Sequence, residues 1–192
     1  MFLNILFCKV EPNVKMIRLR NLEKNDLTAV RKIFVGLFDQ VENYNFSESW
    51  RHRNFGMSFA AISPNEQVVG FLLFRGKRIE YLAVDPEYQS YGIGSLLLKK
   101  VLEECFKKQI RPDLIPIQTE KIMGWYRRYG FELSGDWNIH PVTGEAEPIM
   151  VYCGKMIPEI TQIVKQKEEA KAQDLMPALT LACKEKLMII VN

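Results

Sequence analysis

Histidine is scarce in this chain: of 192 residues only His52 and His140 carry an imidazole. A metal centre built on several histidines is therefore excluded. Cysteine is sparse as well, and the four present, Cys8, Cys105, Cys153 and Cys183, lie far apart. That spacing makes neither a zinc motif nor a disulfide frame, and reads as reduced, buried thiols in a cytoplasmic protein. The charge excess is small, +3, too little to argue for nucleic acid as a partner. No apolar run is long enough to cross a membrane. Met1–Val10 is apolar at Phe2, Leu3, Ile5, Leu6 and Phe7, but a span needs about 20 such residues. It also lacks the early basic residue and small-residue cleavage site of a secretory leader. An added strand or ordered arm over 1–15 is expected, with Met16 as an alternative natural start.

What is present suits one compact domain: 47% of residues are hydrophobic, ample for a core in a chain of this length. Met16–Arg20 alternates apolar and polar residues as a half-buried strand does. Leu27, Val30, Phe34, Leu37 and Val41 recur at helical spacing after Asn25 or Asp26, either of which can cap a helix. Asp39–Met57 has aromatics without a clean period, so a short helix within loops is expected. Ser58–Ile62 and Gln67–Phe74, separated by Ser63-Pro64-Asn65-Glu66, read as a hairpin. Arg75-Gly76-Lys77-Arg78 is a second turn, and Ile110–Thr119 supplies a later strand. Phe131–Leu133 and Pro148–Met156 read as strands joined by a polar loop. Hairpins mixed with strand–helix alternation predict an α/β fold: a central, mostly antiparallel mixed sheet with helices on both faces. From Pro158 the chain becomes charged and helix-prone. The segment 157–192 is read as a helical extension, with homodimer formation or packing on its own domain as its alternative uses.

The most informative stretch is Val84-Asp85-Pro86-Glu87-Tyr88-Gln89-Ser90-Tyr91-Gly92-Ile93-Gly94-Ser95. The apolar strand Ile79–Val84 enters an Asp-Pro turn, two glycines follow, and an amphipathic helix runs over Leu96–Lys108. A strand feeding a glycine-rich helix start presents unpaired N–H groups to a phosphate. A dinucleotide fingerprint would require glycine where Leu97 stands, and a nucleotide P-loop would require Gly-Lys-Ser or Gly-Lys-Thr, which does not occur.

The Gln-x-x-Gly-x-Gly turn of Gln89, Gly92 and Gly94, preceded by Val84-Asp85-Pro86, resembles the acetyl-coenzyme A (acetyl-CoA) motif of the GNAT superfamily of N-acetyltransferases. Gly124-Trp125-Tyr126-Arg127-Arg128-Tyr129-Gly130-Phe131 resembles the second signature of that family, in which an aromatic pair ends a helix and Gly-Phe opens a strand. The resemblance covers roughly residues 16–156, taken as the acetyltransferase domain. It implies acetyl transfer from acetyl-CoA to a primary amine of a small molecule or peptide, by direct attack and without a metal. It further implies that main-chain groups around Leu82, Ala83 and Val84 face the acetyl group. Gln89, Ser90, Tyr91, Gly92, Ile93, Gly94 and Ser95 would then form the cofactor-binding turn. Tyr126 takes the position of the family's thiolate-protonating tyrosine.

Two positions depart from the family pattern. Gln89 stands where many members have arginine, leaving Lys99 or Lys100 to compensate or to remain surface lysines. The asparagine of the second signature is replaced, with Thr119 nearest in register. Glu80, a carboxylate inside an otherwise apolar strand, is the candidate base. Its other reading is an ion pair with Arg78 or Lys77. His52, Glu48 and His140 are further candidates in loops that could border the acceptor, and Glu42, Asp136, Glu145 and Glu147 could attract a cationic amine. A non-catalytic acyl-CoA-binding sensor or scaffold is the alternative reading of the whole chain.

Overall fold

The computed structural model describes residues 17–38 and 42–154, with side chains for 17–38 and 46–154. The expected arm over 1–15, the Met16 start and the extension over 157–192 lie outside the described residues. The chain divides into two compact units, Met1–Cys153 and Gly154–Asn192, and the strands and helices described all belong to the first.

Seven strands form one sheet in the order β1-β2-β3-β4-β5-β7-β6. They are β1 (Arg18–Asn21), β2 (Phe59–Ile62), β3 (Val68–Arg75), β4 (Arg78–Val84), β5 (Asp113–Leu114), β6 (Phe131–Ile139) and β7 (Ala146–Tyr152). The helices are α1 (Leu27–Val35), α2 (Glu42–Arg51), α3 (Ile93–Lys107) and α4 (Glu120–Arg128). All strand pairs are antiparallel except β4 with β5. Strand alternation sends Phe71 and Leu73 of β3 and Tyr81 and Ala83 of β4 to one face. There they meet Val30, Ile33 and Phe34 of α1 and Phe46 and Trp50 of α2 in a single cluster. The apolar stripe of α3, with Leu97, Leu98 and Val101 fully buried, covers the opposite side against β2, β3 and β4. The mixed, mostly antiparallel sheet with helices on both faces is thus present as expected.

Several boundaries differ from the sequence reading for local reasons. The helix after the glycines begins at Ile93 and ends at Lys107; Gln109 adopts φ 55°, and Ile110 N–H returns to the Cys105 carbonyl at 2.9 Å, closing the last turn. Glu103 pairs with Lys107 at 2.9 Å as its spacing suggests, whereas Glu104 pairs with Lys100 at 2.7 Å and Lys107 at 3.1 Å rather than with Lys108. β6 is much longer than Phe131–Leu133. It passes through Gly135 at φ 87°, where its register with β7 shifts, and continues to Ile139.

The strand expected over Ile110–Thr119 shrinks to Asp113–Leu114. Pro112 and Pro116 bracket it, and proline lacks the N–H a sheet ladder requires. β4 and β5 consequently share only two register pairs, Arg78↔Asp113 and Ile79↔Leu114. β4 runs on to Val84 with no strand beside that edge among the described residues, and a V-shaped opening follows. Its closed end is clamped by Asp113, whose side chain is 4% exposed. The carboxylate accepts from Arg78 Nε at 2.6 Å and lies 3.3 Å from Lys77 Nζ.

Asp113 is buried while Arg78 stays partly in solvent, so Asp113→Ala, which removes a charge-assisted hydrogen bond, should lower unfolding free energy by about 1.5–3 kcal/mol. Urea denaturation checks this; a loss no larger than that of an exposed surface pair would show that the clamp is not structural.

Candidate active site

The V opens into a cleft of about 540 Å³ walled by β4, the turn before α3, the segment after β5, and α4. The sequence-expected residues Glu80, Leu82, Val84, Gln89, Ser90, Gly92, Ile93, Gly94, Ser95 and Tyr126 all line it. Two do not. Ala83 turns its side chain to the other face, into the α1/α2 cluster, as strand alternation requires, which leaves only its main chain toward the site. Tyr91 lies outside the lining and is 37% exposed.

The turn is held by its own polar groups. Asp85 N–H reaches the Val69 carbonyl at 2.9 Å, and Asp85 Oδ1 accepts from Glu87 N–H at 3.0 Å above Pro86. Gln89 Nε2 donates to the Val84 carbonyl at 3.0 Å, so this side chain ties the turn back to the end of β4. Ser90 at φ 67° and Gly92 at φ 80° are both left-handed. A non-glycine residue in that region is strained, and such turns aim successive N–H groups into one concavity. Gly92 stands at the N-cap of α3 and has no side chain with which to cap the amides of the first helical turn. A Cβ on Gly92 would meet nothing within 4 Å, and the glycine is required there by its backbone angle rather than by crowding.

Closeness matters instead at Gly70 on β3. A Cβ there would lie 3.1 Å from the Ala83 carbonyl oxygen and 3.3 Å from Ile93 Cγ2. This glycine lets the start of α3 settle onto the β3–β4 seam and aims the helix N-terminus at the cleft.

Tyr126 arrives from the opposite wall. Thr119 Oγ1 caps α4 by accepting from Ile122 N–H at 3.3 Å, and Gly130 at φ 85° turns the chain into β6. The replaced asparagine position thus serves as a helix cap. The Tyr126 ring packs edge-on against Trp125 at 4.8 Å and Phe131 at 5.7 Å. A tyrosine hydroxyl is protonated at neutral pH and able to donate; desolvation pushes this phenol further above the ordinary range.

Glu80 is 15% exposed at its side chain and pairs with Arg75 Nε at 2.8 Å, not with Arg78 or Lys77. The bulge between Leu73 and Phe74 sets the register that brings these two together. Glu80 also borders a second cavity, of about 310 Å³, which shares Ile79, Tyr81 and Ile115–Ile117 with the cleft and adds Glu48, Arg75, Arg78, Asn138, His140 and Glu147. There the Glu147 carboxylate accepts from Asn138 Nδ2 at 2.8 Å, and no salt bridge to it occurs among the described residues. His140 Nδ1 accepts from Val142 N–H at 3.3 Å and Thr143 N–H at 3.0 Å, which fixes the Nε2–H tautomer and commits that lone pair to the loop. His52 pairs with Glu48 at 3.1 Å and is not among the residues lining either cavity.

Some lining residues escaped the sequence reading. Lys121, Tyr88, Ile117 and Phe38 line the cleft, and Trp125, read as core or rim, does so too. Among the lining residues Lys121 carries the only positive charge, whereas Lys100 is engaged by Glu104. The helical position of Lys121, five residues before Tyr126, was available in the sequence as a clue.

With this geometry in hand, the likenesses to known proteins can be placed. The model of the acetyltransferase (GNAT) domain matches residues 31–138. The chain belongs to the GNAT acetyltransferase family. The chain is 29% identical over 80 residues to the peptidyl-lysine N-acetyltransferase YjaB of Escherichia coli, covering 40% of this chain and 50% of that protein. The chain thus spans about half the length of the curated relatives it matches. Among solved structures, Ard1 from Thermoplasma volcanium superposes with a TM-score of 0.60 at 19% identity, covering 70% of this chain and 95% of that one. Arabidopsis thaliana Naa50, solved with the bisubstrate analogue CoA-Ac-MVNAL, gives 0.56 at 21% identity, with 70% and 97% covered. At these identities the two structures establish the GNAT fold. No helix among the described residues is long and apolar enough to cross a membrane.

Gly70→Ala should cost about 1–2 kcal/mol by overpacking the seam, read as a lowered denaturation midpoint. An unchanged midpoint would mean that α3 does not depend on this close approach.

Proposed function

We propose that this protein is an N-acetyltransferase that moves an acetyl group from acetyl-CoA to a primary amine of a peptide or protein, with both substrates held together in the cleft. The observation that carries the proposal is the juxtaposition of the Gly92-led α3 N-terminus and a half-buried Tyr126 across one opening in the sheet.

The residues fit acetyl-CoA. The first-turn amides of Ile93, Gly94 and Ser95 and the left-handed turn before them suit a diphosphate, to which the helix dipole adds attraction. Lys121 supplies a positive charge in the same cleft, the compensation that Gln89 does not provide. The apolar walls Leu82, Val84, Ile117 and Ile122 suit an extended thiol arm, and the free edge of β4 offers main-chain groups to it. Acetyl-CoA contributes an activated thioester acyl group. The chain's share is to align, polarise and move protons. Main-chain N–H groups near Leu82–Val84 hold the carbonyl oxygen as negative charge gathers on it. When the amine nitrogen bonds to the carbonyl carbon and the carbon–sulfur bond breaks, Tyr126 Oη gives its proton to the departing sulfur. Glu80, on the wall shared by the two cavities, takes the proton shed by the amine, directly or through water.

The acceptor enters by the second cavity. Glu147 faces it without a cationic partner among the described residues, whereas Glu80 is paired with Arg75, and Arg78 of the same lining with Asp113, so Glu147 is the carboxylate left to attract an ammonium group. A lysine side chain of a peptide has that chemistry, and the relative YjaB is a peptidyl-lysine N-acetyltransferase.

The test is steady-state acetylation of a lysine peptide by the parent and by Tyr126→Phe, with calorimetric titration of CoA. Loss of a proton donor should lower kcat by about a hundredfold while CoA affinity stays within about twofold. Equal turnover by the two proteins would remove Tyr126 from the chemistry. Tight CoA binding with no turnover on any amine would favour the sensor or scaffold reading.

A further inference from the structure

On the α1/α2 side lies a cavity of about 470 Å³ that shares no lining residue with the cleft except through the fold itself. Its walls are Phe46, Trp50, Leu27 and Phe55, and its charged groups are Lys24, Arg31, Arg51 and Arg53, with no carboxylate in the lining. Arg53 is the unusual member. It is only 5% exposed, held with its guanidinium carbon 3.8 Å from the Trp50 ring centroid and 4.3 Å from that of Phe55. Nη1 donates to the Trp50 carbonyl at 2.5 Å. Nε and Nη2, which together form one edge of the guanidinium fork, are buried and find no hydrogen-bond acceptor among the described residues.

Leaving charged donors buried and unmatched costs more than leaving neutral ones so. Asp26 is the neighbouring acid, and its carboxylate is already spent: it accepts from Arg20 Nη1 at 2.7 Å, from Arg20 Nη2 at 2.8 Å and from Glu23 N–H at 2.7 Å. Burial accordingly pulls the Arg53 guanidinium below its ordinary range, with Asp26 offsetting only part of that. The Nε/Nη2 edge matches a carboxylate in bidentate geometry. The surrounding rings and Leu27 match an apolar body, and a mainly apolar cavity of this size with a few convergent polar groups is the usual form of a small-molecule site.

We propose that this cavity is a second ligand site, separate from the acetyl-transfer cleft, which takes a small monocarboxylate with an apolar body. The carboxylate sits on the free edge of Arg53, with Phe55, 50% exposed, as the wall that yields to admit it. The apolar body lies against Phe46, Trp50 and Leu27. Lys24, Arg31 and Arg51 steer the anion to the opening. Inorganic phosphate fits less well, because its hydrated charge has no counterpart in the apolar walls.

The experiment is calorimetric or ligand-observed NMR titration of the full chain with octanoate and benzoate, beside octanol and benzamide as neutral counterparts and inorganic phosphate as an apolar-free anion. Each is repeated with saturating CoA. The carboxylates should bind at least about tenfold more tightly than their neutral counterparts and than phosphate, with affinity unchanged by CoA. Arg53→Met, which keeps the length and removes the unmatched donors, should fold and lose that preference. Arg31→Met on the rim should weaken the carboxylates about twofold and leave the neutral compounds unaffected, so the proposal is testable even if the Arg53 variant misfolds. No binding, equal affinity for charged and neutral compounds, phosphate binding as tightly as the carboxylates, or displacement by CoA would overturn it.

Discussion

Two prolines flanking the fifth strand set the architecture of the site. Pro112 and Pro116 confine sheet pairing to Asp113 and Leu114, so β4 loses its neighbour after two register pairs. Everything functional follows from that lost pairing. A continued β5 would occupy the edge of β4 from Glu80 to Val84 and fill the cleft. The Arg78–Asp113 contact at 2.6 Å holds the two strands together where they still pair, and the opening therefore begins at a fixed point.

The opening is useful because two helix ends converge on it. α3 is delivered by the Asp85-Pro86 turn and seated by Gly70; α4 is started by Thr119 and stopped before Gly130. The first contributes uncapped amides and the positive end of a dipole. The second contributes a half-buried phenol, protonated at neutral pH. In the function we propose, anion binding and proton donation would come from opposite walls, the polarity that acyl transfer from a phosphate-bearing thioester to an amine demands.

Much of this was legible in the sequence because it rests on local rules. Gly92 and Gly94 between a strand and an amphipathic helix, and Gly130 after an aromatic helix end, are chain-turning residues whose meaning does not depend on distant partners. The hairpins were readable from Ser63-Pro64-Asn65 and from Gly76 for the same reason. Contacts made across the fold were not. The ion-pair reading of Glu80, beside its reading as a base, named Arg78 or Lys77, and a bulge at Leu73/Phe74 gives it Arg75 instead. Gln89 could equally have reached a ligand, and its bond to Val84 is visible only in three dimensions. The shortness of β5 was foreshadowed by its two prolines, but the apolar run Leu114, Ile115 and Ile117 masked it. The sandwich of Arg53 between Trp50 and Phe55 left only the spacing of the aromatics as a clue, and Glu147 became distinctive only once β6 proved long enough to bring Asn138 beside it.

The central claim is that the main chain at the start of α3 holds the phosphate end of CoA. Backbone amide NMR during a CoA titration tests it most directly. The account predicts the largest shifts at Gly92, Ile93, Gly94 and Ser95, with further shifts along Leu82–Val84. Shifts centred on another face of the sheet, with these amides unmoved at saturation, would contradict it.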